Sequence, residues 1–222
     1  TAITIIMTAE PGRFAPGTPL PGDAEALSAT GLQRLLTWLS PAFPVGAYSY
    51  SHGLEWAIED GTVTDAATLQ RWLADILRHG AGRSDGILFA HAWRSVIATD
   101  HATLAGIAEL GAALQPSRER HLEATAQGAA FLTTVRASAP ADGLVDAAAA
   151  LADTPPVYPV AVAIAAAAHG IPLAPAIAAY LSGFAANLVS AGVRAIPIGH
   201  TDGQRVIAGL IPLVEAAAGA AL

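Results

Sequence analysis

Between Asp153 and Arg194 the chain contains no Asp, Glu, Arg or Lys. A stretch that long without charge does not face water along its whole length. It lies in a protein core, in a subunit seam or in a bilayer. A spanning helix needs about 20 consecutive apolar residues. Here Pro159, His169, Gly170, Pro172 and Pro175 interrupt the run, and Ala outnumbers Leu. The stretch therefore reads as two buried helices, from about Val157 to Ala168 and from about Pro175 to Ala191. The turn His169-Gly170-Ile171-Pro172-Leu173 joins them, with Gly170 as the cap. Ala163, Ala167, Ala178, Ala179, Ser182, Gly183, Ala186 and Ser190 are small enough to let helix axes approach closely. Such an approach serves a core or a symmetric dimer seam, and the sequence leaves both open.

The rest of the chain repeats the helical period, and no stretch sustains the alternation of a strand. Thr30 with Gln33 resembles a capping box ahead of Leu32, Leu35, Leu36 and Leu39, and Pro41 ends that helix. A short helix follows from about Ser51 to Glu59. Thr64 can cap a helix that closes at His79-Gly80. Ser84 can cap the next, and Asp100 one that runs to Gly111. A long helix spans about Ser117 to Ser138, and an Ala-rich one about Ala141 to Leu151. The last begins near Thr201 or Asp202, and Pro212 should bend or split it. The expectation is an all-α fold, a single compact multi-helix domain of about nine to eleven helices over residues 29–222. Residues 1–28 read as a flexible tail, because Glu10 to Asp23 holds four prolines and three glycines. Met7 is the only methionine and reads as the natural start, residues 1–6 being extraneous. Thr1 to Met7 does not read as a signal peptide, because it lacks a basic start and its apolar run is short.

Charged residues are only 13% of the chain, and apolar residues are 53%. A surface so poor in charge suggests that some apolar area is covered by self-association or by a partner. The net charge is −7 and every basic residue is Arg. That balance argues against nucleic acid and against an anionic membrane surface. With no cysteine, disulfides, thiolate metal sites and Cys nucleophiles are excluded. Absence of Lys excludes a P-loop, and no GxGxxG follows a strand. The seven His are His52, His79, His91, His101, His121, His169 and His200. None forms an HxH or HExxH pattern, so no metal site is expected. His79 and His169 precede glycines at helix ends, where free carbonyls favour an imidazole.

Two segments stand apart from the helical pattern. Ser40 to Glu55 carries Phe43, Pro44, Gly46, Tyr48, Ser49, Tyr50, His52, Gly53 and Glu55 in a loop whose backbone is set by proline and glycine. A stiff loop bearing rings can be a recognition surface, or it can tuck the rings into its own core. The second segment is Ser190 to Arg205. In it Arg194 is the only Asp, Glu, Arg or Lys between Asp153 and Asp202. Such an arginine can cap a helix end or organise a docking loop.

These two segments also carry a resemblance. Pro44-Val45-Gly46, Tyr48-Ser49-Tyr50-Ser51 and Gly53-Leu54-Glu55 are similar to the N-terminal signature of the urease accessory protein UreF family. Ser190-Ala191-Gly192-Val193-Arg194 and Ile196-Pro197-Ile198-Gly199-His200-Thr201-Asp202-Gly203-Gln204-Arg205 resemble its C-terminal signature. Ser117-Arg118-Glu119, Gln127-Gly128 and Tyr158-Pro159-Val160 fall between them in order. The likeness spans about Leu32 to Val214, and two long ordered motifs are specific. One departure is His200, where the family more often has Gln.

The resemblance implies a cytoplasmic, non-enzymatic scaffold and homodimer with no tightly bound cofactor. Such proteins bridge a UreD/UreH-type accessory protein and the GTPase UreG, and deliver the complex to apo-urease. They help couple GTP hydrolysis to nickel insertion and lysine carbamylation. It implies a partner-binding or loop-organising role for Phe43, Pro44, Gly46, Tyr48, Ser49, Gly53 and Glu55, and for Arg194, Gly199, Asp202 and Gln204. Catalytic residues and metal ligands are expected to be absent. The alternative reading is an all-α small-molecule-binding protein, or an enzyme using Glu55, Arg194 and Asp202 around an apolar pocket. Glu55 with Glu59, and Glu119 with Glu123 among Arg118 and Arg120, share helix faces at i, i+4. Both pairs read first as solvated or partner-facing charge rather than as acid–base pairs.

Overall fold

The computed structural model describes residues 26–46, 52–151 and 154–222. Among them the chain forms helices α1 (Ala29–Trp38), α2 (Leu54–Glu59), α3 (Ala66–His79), α4 (Ala81–Ile97) and α5 (His101–Ala113). α6 (Arg118–Ser138), α7 (Asp142–Ala150), α8 (Tyr158–Ala168), α9 (Leu173–Ala195) and α10 (His200–Ala221) follow. No strand occurs among the described residues, as the missing period-two pattern predicts.

The charge-free stretch is the centre of the fold. In α8 every residue from Val160 to Ala166 is 0% exposed. α4 and α6 flank it, α9 turns back against it, and α10 packs across α9, α3 and α4. An all-apolar helix is stable only when surrounded on every side, and its alanines let the neighbours come close. Gly128 shows how close α6 comes: a Cβ there would sit 1.9 Å from the Pro156 carbonyl oxygen. The joints are polar where they must be. Trp93 of α4 donates its indole N–H to the Ile171 carbonyl in the α8–α9 turn, at 2.9 Å. His169 caps α8 with its ring nitrogens 2.8 Å from Ala165 O and 3.0 Å from Ala139 O, fastening α8 to the end of α6. That is the helix-end role the sequence suggested for it.

Several boundaries differ from the sequence reading, each for a local reason. Ser28, not Thr30, caps α1 by accepting from Gly31 N. Asp65, not Thr64, caps α3 and forms a reciprocal box with Thr68. α4 starts at Ala81, three residues before Ser84, because Gly80 ends α3 and begins α4 without a side-chain cap. α5 runs through Gly111 to Ala113. α9 starts at Leu173 with Pro172 at its cap, and it reaches Ala195 rather than ending near Ala191. Pro212 does not split α10. It lies on the exposed face, and Ala208, whose carbonyl loses its donor, is an exposed residue, so water can replace the bond.

α9 and α10 are long and apolar enough to cross a bilayer by length and composition alone. In the fold α9 packs against α2, α3, α4, α8 and α10, which accounts for its apolar sequence as that of a core helix. Of the proposed seam residues, Ala163 and Ala167 are spent in the core, whereas Ser182 and Ser190 are exposed on α9.

Candidate functional site

The first motif leaves α1 through a tight turn. Phe43 is half-buried and lays its ring 5.3 Å from Phe131 of α6, so it anchors the loop. Pro44 is exposed, Val45 is buried, and Gly46 stands exposed with φ of 72°. A left-handed φ favours glycine, and among the described residues no atom crowds Gly46, so its conformation selects the residue. Tyr48, Ser49 and Tyr50 lie outside the described residues. His52 resumes the chain with φ of 51° and stacks edge-on against Phe184 of α9 at 4.8 Å. Gly53, with φ of 78°, then opens α2, which exposes Glu55 and leaves Trp56 64% exposed.

The second motif lies further along α9. Arg194 is in the last turn of α9, not in a loop; it is exposed and donates to Ser190 Oγ at 2.9 Å. Gly199 caps α10 with an ordinary φ of −78°. Asp202 sits in the first turn, where a carboxylate suits the helix dipole, and pairs with Arg205 at 2.6 Å. Gln204 is exposed. Among the described residues the two motifs thus offer exposed positions at separate places joined by α9.

The first segment borders a groove of about 640 Å³. His52, Gly53 and Glu55 line one side, Ile76 and Ala81 another, and Leu114 with Pro116 the third. Leu114 is 52% exposed there. Arg194 and Asp202 do not line this groove, so the three residues of the enzyme alternative do not meet around it.

A charged cluster forms the floor. Asp85 of α4 accepts a 2.7 Å hydrogen bond from the Tyr180 hydroxyl of α9. Arg120 donates to Glu123, which also accepts from Gln127 Nε2 at 3.2 Å. Burial pushes the Asp85 carboxyl up to about 6, outweighing the Tyr180 bond and the Arg120 charge. Burial also raises Glu123 despite its bonds to Arg120 and Gln127. His52 is held down to about 3 by burial, with the Arg120 charge adding to the effect. Tyr180 and Tyr158 are driven well above the usual phenol range by desolvation. The floor thus sets one guanidinium, Arg120, beside the carboxyls of Asp85 and Glu123 and an imidazole that burial keeps neutral at neutral pH.

Sequence reasoning missed this floor. The pair Glu119 and Glu123 reads as a charged helix face, yet Glu123 is only 5% exposed while Glu119 is exposed. A signal was present: Glu123, Gln127 and Phe131 are spaced i, i+4, i+8 on the buried stripe of α6. Asp85 and Tyr180 lie 95 residues apart, and no local pattern links them. Among the described residues no three of His, Asp and Glu come close enough together to hold a metal ion.

Comparison with known proteins places this architecture. The family model for UreF matches residues 63–211, which includes the second motif and begins after the first. A urease accessory protein UreF of Rhodopseudomonas palustris (strain BisB5) is 52% identical over 203 residues, covering 91% of this chain and 83% of the relative. The protein of that name from Bradyrhizobium diazoefficiens is 51% identical over 201 residues, covering 90% and 83%. One from Methylobacterium sp. (strain 4-46) is 52% identical over 184 residues, covering 83% and 73%. Likeness at this level extends across nearly all of the helical body, groove floor included, and the chain belongs to the UreF family of urease accessory proteins.

Proposed function

We propose that this chain is a non-catalytic scaffold of urease maturation. It bridges a UreD/UreH-type accessory protein and the GTPase UreG, modulates GTP hydrolysis, and helps deliver nickel to apo-urease. It works as a cytoplasmic homodimer. Nickel is cargo of the whole complex rather than a resident ligand. The observation that carries the reading is that α9 joins the described parts of both motifs, of which Pro44, Gly46, Glu55, Arg194 and Gln204 are exposed. His52 of the first rests on Phe184 of α9, and Arg194 of the second ends the same helix. A rigid body that holds two partners at a fixed separation raises the effective concentration of the second contact once the first is made. Trp56 and Leu114, large apolar side chains left in solvent beside the first motif, suit a protein contact.

Light scattering after size exclusion tests it, on the chain alone and mixed with both partners. The expected result is a dimer that forms a stable assembly with them at micromolar concentration. A chain that ignores both partners, or that turns over a substrate unaided, refutes it. Tyr48→Ala sharpens the test: a folded protein is expected that has lost a partner.

A further inference from the structure

The groove floor is short of positive charge. Asp85 sits under the groove between α4, α6 and α9, and among the described residues it accepts one hydrogen bond, from Tyr180. A carboxylate can accept about four. Among the described residues the cation whose charge reaches Asp85, Arg120, is committed by hydrogen bond to Glu123, and the His52 ring faces Phe184. An excess negative charge in a half-closed site costs stability unless a cation joins it. The walls are apolar, from Ile76 to Leu114 and Pro116, which suits the aliphatic stem of a long side chain.

Building on the scaffold reading, we propose that this groove receives an arginine or lysine side chain from a partner polypeptide, setting its cation against Asp85 beside Glu123. The stem lies on Leu114 and Ile76, and the cation completes the floor. A guanidinium fits best, because it can meet Asp85 while leaving the Arg120–Glu123 pair intact. The charged floor thus serves recognition, and the free protein keeps it at the expense of its own stability.

The test uses Asp85→Asn, with Glu123→Gln as a second variant, each mixed separately with the two maturation partners by calorimetry. Asn keeps an oxygen for the Tyr180 hydroxyl while removing the charge. For Asp85→Asn the expected result is a rise in melting temperature, and for both variants a loss of about tenfold or more in affinity for one partner. The salt dependence of that binding should also flatten. A purely structural carboxylate predicts the opposite, a lower melting temperature with affinity unchanged, and that outcome overturns the proposal. So does unchanged affinity for both partners. A variant that turns monomeric while the wild type is dimeric makes the occupant a second copy, which also overturns it. Failure of the wild-type chain to bind either partner refutes the scaffold reading rather than this one.

Discussion

Gly128→Ala is the most exacting probe of how α6 meets α8. Alanine favours a helix interior over glycine by about 1 kcal/mol, so in open space the change stabilises. At Gly128 the new Cβ would lie 1.9 Å from Pro156 O, and 3.0 Å from the carbonyl carbons of Pro156 and Val157. Real Cβ atoms stay at least 3.0 Å from such neighbours, so the backbones must part by about 1.1 Å. The obstacle is backbone, not the tip of a side chain, and no rotamer change relieves it. Overpacking of this kind costs about 1–3 kcal/mol and occasionally more, which outweighs the propensity gain. We expect a net loss of about 1–3 kcal/mol and a melting temperature lower by about 3–10 °C for a chain of this size. The strain would also reach Tyr158, which opens α8 one residue beyond Val157 and stacks 5.7 Å from Phe131. Gly106→Ala on α5, with no heavy atom within 4 Å of its Cβ, is the internal control and should gain about 1 kcal/mol. Differential scanning calorimetry on both variants decides. If Gly128→Ala melts as high as Gly106→Ala, the close approach of α6 to Pro156 is wrong.

Two further outcomes follow from the core and the groove floor. Trp93→Phe removes the donor to Ile171 O from a side chain that is 1% exposed, and leaves a void. It should cost about 2–4 kcal/mol by denaturant unfolding, and a loss below about 1 kcal/mol would mean the α4 joint is incidental. The second concerns pH. The folded-state value of Asp85 is raised from 3.8 to about 6, so its unfolded form releases a proton that the folded form keeps. Its ionisation therefore destabilises the fold increasingly as pH rises from about 4 to 6. His52, lowered from 6.5 to about 3, does the reverse, so the two slopes largely cancel across that window. The stabilisation from Asp85→Asn should be absent below pH 4 and reach about 1–3 kcal/mol above pH 6, allowing for partial solvent access. A difference between variant and wild type that does not change with pH would remove burial of the carboxylate as its cause.

Much of the helical order was legible because caps are local chemistry. Asp100 and Ser117 are found where a short polar side chain precedes an apolar period, and both cap their helices. The start of α4 was not legible. Gly80 reads as the end of α3 and Ser84 as the next cap, yet α4 already runs from Ala81, with Gly82 inside it where a Cβ would press to 2.7 Å from Leu77 Cα. Packing, not flexibility, selects that glycine, and packing is not written in a window of sequence. The motifs themselves were visible as departures from helical period. Their wall, the groove and its floor were not, since Asp85, Arg120 and Tyr180 come from three helices brought together only by the fold.

The rod between the motifs has a consequence for how such a chain can change. From Phe184, under His52, to Arg194 runs uninterrupted α9, ten residues rising about 15 Å. A helix lengthens in steps of about 1.5 Å, and each added residue swings everything beyond it by about 100° around the axis. Inserting one residue would thus leave the spacing almost untouched while turning Gly199 and Gln204 toward a different side of the molecule. Only insertions near a whole number of turns would keep both ends facing their original directions. Divergence in this body is therefore expected to conserve the length of that segment even where its side chains drift.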